Sequence, residues 1–180
     1  MPVVNKNLTG SVMHGLLQTL AGSAVIGLLM LGNETLLSLP IIASLAATMF
    51  ILVTSPHSPA SRPRNLVGGY LCGMIGAVIA RLPEAFATGL PEPLNPVSTL
   101  VLTTTLAVAI TALLMVIFDL NHPPACALAF FLVTAQSPPV EYLLTFVFIL
   151  LMSAALQILR PFMKDLFVEK PVTNQPDSTP

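Results

Sequence analysis

From Pro96 to Ala125 the chain reads PVSTLVLTTTLAVAITALLMVIFDLNHPPA. No charged side chain interrupts it before Asp119, and the uncharged part is longer than the ~20 residues that a helix needs to cross a bilayer. Residues buried in lipid must satisfy their own backbone hydrogen bonds, so an apolar run of this length reads as a helix; a barrel strand would alternate over about 10 residues. The run then stops at Asp119-Leu120-Asn121-His122-Pro123-Pro124-Ala125, a polar turn broken by two prolines, before apolar sequence resumes. A membrane helix, a break and another apolar segment are what the rest of the chain repeats.

Charge spacing extends this reading. An ionised side chain at mid-bilayer costs roughly 2.5–3.5 kcal/mol on insertion scales, so charges mark the edges of spans. None occurs between Lys6 and Glu34, Glu34 and Arg62, Arg64 and Arg81, Glu92 and Asp119, Asp119 and Glu141, or Glu141 and Arg160. These six windows predict spans near 13–31, 35–54, 66–81, 97–118, 125–137 and 141–159, the third and fifth short. The expected architecture is an all-α polytopic bundle of about six helices, with two short ones after proline-broken turns. Residues 1–160 form a single transmembrane domain and residues 161–180 a polar cytosolic tail. Composition agrees: 54% of the 180 residues are hydrophobic and 8% charged, against about a quarter charged in soluble proteins.

If all six windows cross, Lys6, Arg62, Arg64, Arg160, Lys164 and Lys170 share one side and Arg81 stands alone on the other. The positive-inside bias then places both termini in the cytoplasm. The lipid bilayer is the first partner, and the inner membrane of a bacterium the expected location. A net charge of −1 excludes an electrostatic nucleic-acid binder. Cys72 and Cys126 lack metal-ligand or CxxC spacing, and neither a GxGxxG before a helix nor a phosphate loop occurs, so no metal and no cofactor are expected. Clustered carboxylates and a Ser-His-Asp pattern are also missing, and the chain is not read as an enzyme.

The polar residues at the breaks carry the functional reading. After the second window comes Ser55-Pro56-His57-Ser58-Pro59-Ala60-Ser61-Arg62-Pro63-Arg64-Asn65, leading into Gly68-Gly69; both breaks contain His-x-Pro-Ala, at His57 and at His122. That match suggests a duplicated two-helix unit. Pro123 and Pro124 suit the first turn of a helix, whose N-terminus would face the break and attract an anion. Asn65 has a similar place at the start of the third helix. Arg62 and Arg64 add planar donor forks suited to oxyanions, although both equally serve as interfacial anchors. His57 reads first as a solvated turn residue, His122 as a functional one in a constrained turn. Gly69 and Gly73 make a GxxxG on the third helix, read mainly as a packing surface and secondarily as a pore wall. Thr103, Thr104 and Thr105 offer hydroxyls to a polar path or to their own i−4 carbonyls. Gln18 is placed to bond a neighbouring helix.

The stretch Arg62-Pro63-Arg64-Asn65-Leu66-Val67-Gly68-Gly69, with His122-Pro123-Pro124-Ala125, resembles the HPP family of small integral membrane proteins over roughly residues 35–160. Arg64, Asn65, Gly68, Gly69, His122, Pro123 and Pro124 match the family pattern, whereas Arg62, Tyr70 and Cys126 stand where it has Gln, His and Gly. Tyr70 thereby puts any family role for a histidine at that position in doubt. The family is described with four spanning helices, fewer than six. The resemblance implies membrane transport, with nitrite movement associated with plastid and cyanobacterial members. The expectation is therefore a small-anion transporter or channel, nitrite first, in which Arg64 and Asn65 attract the anion and His122 with Pro123 shapes the site. So thin a bundle is expected to act as a homodimer or higher homo-oligomer. A non-transporting membrane assembly protein is the alternative.

Overall fold

The computed structural model describes residues 12–31, 39–86 and 96–166, and every regular element among them is helical. Six α-helices follow in order: α1 Val12–Leu31, α2 Leu39–Thr54, α3 Pro63–Phe86, α4 Pro96–Ile117, α5 Pro124–Thr134 and α6 Pro139–Leu159. Each overlaps one of the six uncharged windows, α3 extending past Arg64 and Arg81 and α6 starting just before Glu141, so charge spacing located every helix. The expected tail, residues 161–180, lies outside the described residues beyond Leu166.

Of the two segments expected to be short, one is not and one is. The third helix is not short: it starts at Pro63 and runs 24 residues, through Pro83. Proline at the first helical position loses no bond, so Arg64 and Asn65 belong to the helix rather than to the loop before it. Helix α5 is short, at 11 residues, or about 16 Å at 1.5 Å per residue, half of a ~30 Å hydrocarbon core.

Contacts along α3 show how far α5 and the segment before it extend. Gly76 of α3 lies against Ala107 and Thr111 of α4, Gly68 against Leu120, Gly69 against His122 and Gly73 against Ala125. Arg81, near the far end of α3, reaches Ser137 beyond α5. Helix α4 thus runs antiparallel to α3, the chain dips inward along α3 from Leu120 to Pro123 without helical structure, and α5 continues parallel to α3 as far as the opposite face. The chain beside α3 is thus an unwound stretch, Leu120 to Pro123, followed by the short helix α5, reaching from the level of Gly68 to that of Arg81. Helix α6 then returns, and Leu166 donates its backbone N–H to the Thr54 carbonyl at the end of α2 (2.7 Å).

Both helices flanking the dip, α4 and α5, end in the same device. The N–H of Leu120 bonds to the Met115 carbonyl and that of Ser137 to Leu132, while Asp119 (φ 51°) and Gln136 (φ 50°) adopt the left-handed conformation. These are Schellman closures built on non-glycine residues.

Burial is inverted relative to a soluble bundle. Val97, Val101, Leu113, Val116, Leu143 and Leu151 are exposed, whereas Ser44, Thr48, Thr111, Thr145 and His122 are buried. Among the described residues, α3, α4 and α6 each contain a stretch long and apolar enough to span a membrane.

Candidate functional site

Gly69 and Gly73 decide how close the unwound segment comes. A Cβ on Gly69 would lie 2.7 Å from the His122 Cβ, and one on Gly73 would lie 2.6 Å from the Ala125 carbonyl oxygen. Only a bare backbone permits that approach. The small-residue stripe of α3 is accordingly a packing face, and what it packs is the break itself.

His122 is the residue that this close approach buries completely (0% exposed). Its Nδ1 lies 3.1 Å from the Ala60 carbonyl and its Nε2 3.0 Å from Thr48 Oγ1. Thr48 Oγ1 lies 2.5 Å from the Tyr70 hydroxyl, which donates to the Ser44 carbonyl at 3.0 Å. The two ends of this chain are carbonyl oxygens, which only accept. A bare Nδ1 against Ala60 would set lone pair against lone pair, so Nδ1 carries hydrogen and donates. In a neutral ring Nε2 then accepts from Thr48, and the Tyr70 hydrogen is shared between Thr48 Oγ1 and Ser44. The Tyr70 and His122 rings also stand 5.0 Å apart, tilted by 51°. One polar chain therefore ties α2, the turn before α3, α3 itself and the unwound segment together.

The two breaks predicted to form a site do meet, through the His122–Ala60 bond. Their histidines are not equivalent. His57 is exposed, its backbone N–H donating to Asp165 Oδ1 (3.0 Å) and its Nδ1 lying 3.5 Å from Asp165 Oδ2. That pairing makes it a clasp for the segment after α6, as the solvated-turn reading allowed. The helix-end expectation for α5 also needs correction. Pro123 and Pro124 have no N–H, while the amides of Ala125 and Cys126 are spent on the His122 and Pro123 carbonyls (both 3.0 Å), so this N-terminus offers an anion no free donor in its first turn.

The start of α3 differs. Its first backbone bond runs from the Leu66 N–H to the Arg62 carbonyl, leaving the amides of Arg64 and Asn65 outside the helix's own ladder. Arg62 and Arg64 are both exposed beside them. Arg64 Nη2 donates to the Phe118 carbonyl (2.9 Å), at the end of α4, and the buried Asn65 side chain donates to Pro59 (2.8 Å). Gly68, half-buried, receives the Leu120 side chain. The predicted residues thus divide: Arg62 and Arg64 face outward, and His122, Pro124, Asn65 and Gly69 form the closed centre behind them, with Pro123 exposed at its edge.

Sequence reasoning passed over Thr48 and Ser44, and took Tyr70 only as a departure from the family pattern. Their signal was a hydroxyl inside an otherwise apolar window. It placed the threonine triplet of α4 at the right ambiguity: Thr103 bonds the Thr99 carbonyl and Thr105 that of Val101, and the buried Thr104 hydroxyl has no hydrogen-bond partner among the described residues. Gln18 does bond neighbouring elements, at the Val53 and Lys164 carbonyls.

The whole described domain, breaks included, falls inside a match to the family model "HPP, transmembrane region", covering residues 7–169. The chain belongs to the HPP transmembrane family. It is therefore an integral membrane protein, and the tripeptide His122-Pro123-Pro124 of this HPP domain joins the unwound stretch to the start of α5. Neither the curated proteins nor the solved structures contain a match to it. Tyr70, where the resemblance had put a histidine role in doubt, is occupied in the HPP core by its link through Thr48 to His122.

Proposed function

We propose that this protein carries a small anion, nitrite in the first instance, across the membrane. The observation that supports this reading is the unwound stretch that precedes α5. Non-helical backbone at membrane depth occurs where it is buried in protein or lines a water-filled cavity, and broken spans of this type hold the substrate sites of many transporters. The exposed guanidinium groups of Arg62 and Arg64, with the open amides of the α3 first turn, form an electropositive vestibule in front of the break. Nitrite is a small planar anion that such a fork binds well. Because His122 fills the centre, passage requires the break to part from α3, which favours a carrier over an open pore. Positive-inside bias puts the vestibule and both termini in the cytoplasm of a bacterial inner membrane, and the exposed apolar helix faces leave room for a homodimer or larger assembly.

Liposomes containing the purified protein are expected to accumulate nitrite, with nitrate, formate and chloride as comparisons. Arg64→Ala or His122→Ala is expected to lower the flux while the protein still inserts. Unchanged flux in both variants removes the assignment of the site. The closed, fully hydrogen-bonded centre also fits the second reading, a membrane assembly protein, which predicts no flux for any of the four anions and stable copurification with a larger partner.

A further inference from the structure

At the opposite face, where α3 ends and α5 turns into α6, lies a cleft of about 800 Å³ lined by Val78, Arg81 and Leu82 of α3 and by Gln136, Ser137 and Tyr142. Arg81 is the basic residue that charge spacing left alone on its side. It stands roughly 25 Å from Arg64 along the helix axis at ~1.5 Å per residue, so α3 carries a guanidinium near each end.

One Arg81 N–H donates to the Ser137 carbonyl (3.3 Å), which orients the fork and leaves its other donors toward the cleft. Ser137 is 3% exposed, and its buried Oγ has no hydrogen-bond partner among the described residues. Its backbone N–H is already committed to the Leu132 carbonyl (3.2 Å), and Gln136 is held left-handed beside it. A buried hydroxyl without a partner is costly, and an acceptor arriving in the cleft would recover that cost. A rigidly held cation, a hydroxyl lacking an acceptor, and the Gln136 and Tyr142 polar groups around them ask for one kind of ligand: several oxygens, at least one negatively charged. Glu141 stands in the first turn of α6 but does not line the cleft.

We propose that this cleft binds an oxyanion, gripped by Arg81 and by Ser137 Oγ–H. Two sources share that chemistry: a free anion, and the phosphate of a lipid headgroup whose apolar part lies along Val78 and Leu82. The site stands whether or not the protein transports.

The test uses the full chain purified in detergent. Thermal unfolding and phenylglyoxal modification of each arginine, read by peptide mass spectrometry, are followed against nitrite, inorganic phosphate, short-chain phosphatidic acid and the matching diacylglycerol. Saturable stabilisation and selective protection of Arg81 are expected. Response to nitrite or phosphate identifies a free-anion site; response to phosphatidic acid alone, with none to diacylglycerol, identifies a headgroup site. Ser137→Ala is expected to weaken binding about tenfold and Arg81→Gln to abolish it, whereas Arg160→Gln retains both readouts. If Arg81→Gln does not fold, protection of wild-type Arg81 decides alone. Absence of protection by all three anions, or binding undiminished in a folded Arg81→Gln, overturns the proposal.

Discussion

His122 joins the turn before α3 to α2 through its two ring nitrogens, so its replacement tests the polar chain that runs on to Tyr70 and Ser44. His122→Leu leaves the Ala60 carbonyl and the Thr48 hydroxyl without their partner, at about 1–3 kcal/mol for each group that stays buried. Asparagine can present an N–H near the position of Nδ1 and restore the bond to Ala60. His122→Asn is therefore expected to unfold in detergent at a temperature between those of wild type and His122→Leu; equal losses would refute the donor assignment at Nδ1. Tyr70→Phe removes the far end of the chain and is expected to cost about 1 kcal/mol, within the range measured for hydrogen bonds between membrane helices.

Among the elements, the close seat of the break on α3 and the two left-handed helix ends make opposite predictions. Gly73→Leu forces a side chain into the Ala125 carbonyl and is expected to prevent α5 from docking, seen as loss of a monodisperse detergent-soluble protein. Asp119→Gly and Gln136→Gly relieve a conformation that costs an L-residue roughly 1–2 kcal/mol, and each is expected to raise the unfolding temperature. A fall in either case would show that the side chain does more than tolerate the turn. The limits of sequence reasoning are clearest at this scale. Charge spacing found all six helices because ionised groups are excluded from lipid, and proline marked both breaks because it cannot continue a helix. The length of α3 was misjudged because Pro63 could end a loop or begin a helix equally well. The pairing of Thr48 with Tyr70 and His122 is a contact between windows far apart in the chain, and no local pattern encodes it. The duplicated His-x-Pro-Ala was legible, but its two copies came to unlike surroundings: one histidine met an acidic residue after α6, the other a glycine-lined face.

Taken whole, the molecule has two faces marked by arginines at either end of α3. The face with the breaks also receives the start of α1, through Gln18, and the end of α6, through Leu166. Single cysteines placed at His57 and at Gln136, both exposed, in a background with Cys72 and Cys126 replaced, are expected to react with an impermeant maleimide from opposite sides of sealed vesicles. Labelling of both from one side would mean that α5 dips and returns rather than crosses.

The unwound stretch and the short helix after it also bear on how the chain is built during synthesis. Eleven helical residues preceded by bare backbone cannot leave the translocon into lipid alone, because each unpaired amide and carbonyl exposed there costs several kcal/mol. The segment can settle only against a groove that α3 and α4 have already made. A nascent chain halted just after α5 would therefore release that segment when α3 and α4 are native, and retain it at the insertion machinery when either is replaced by an unrelated apolar helix.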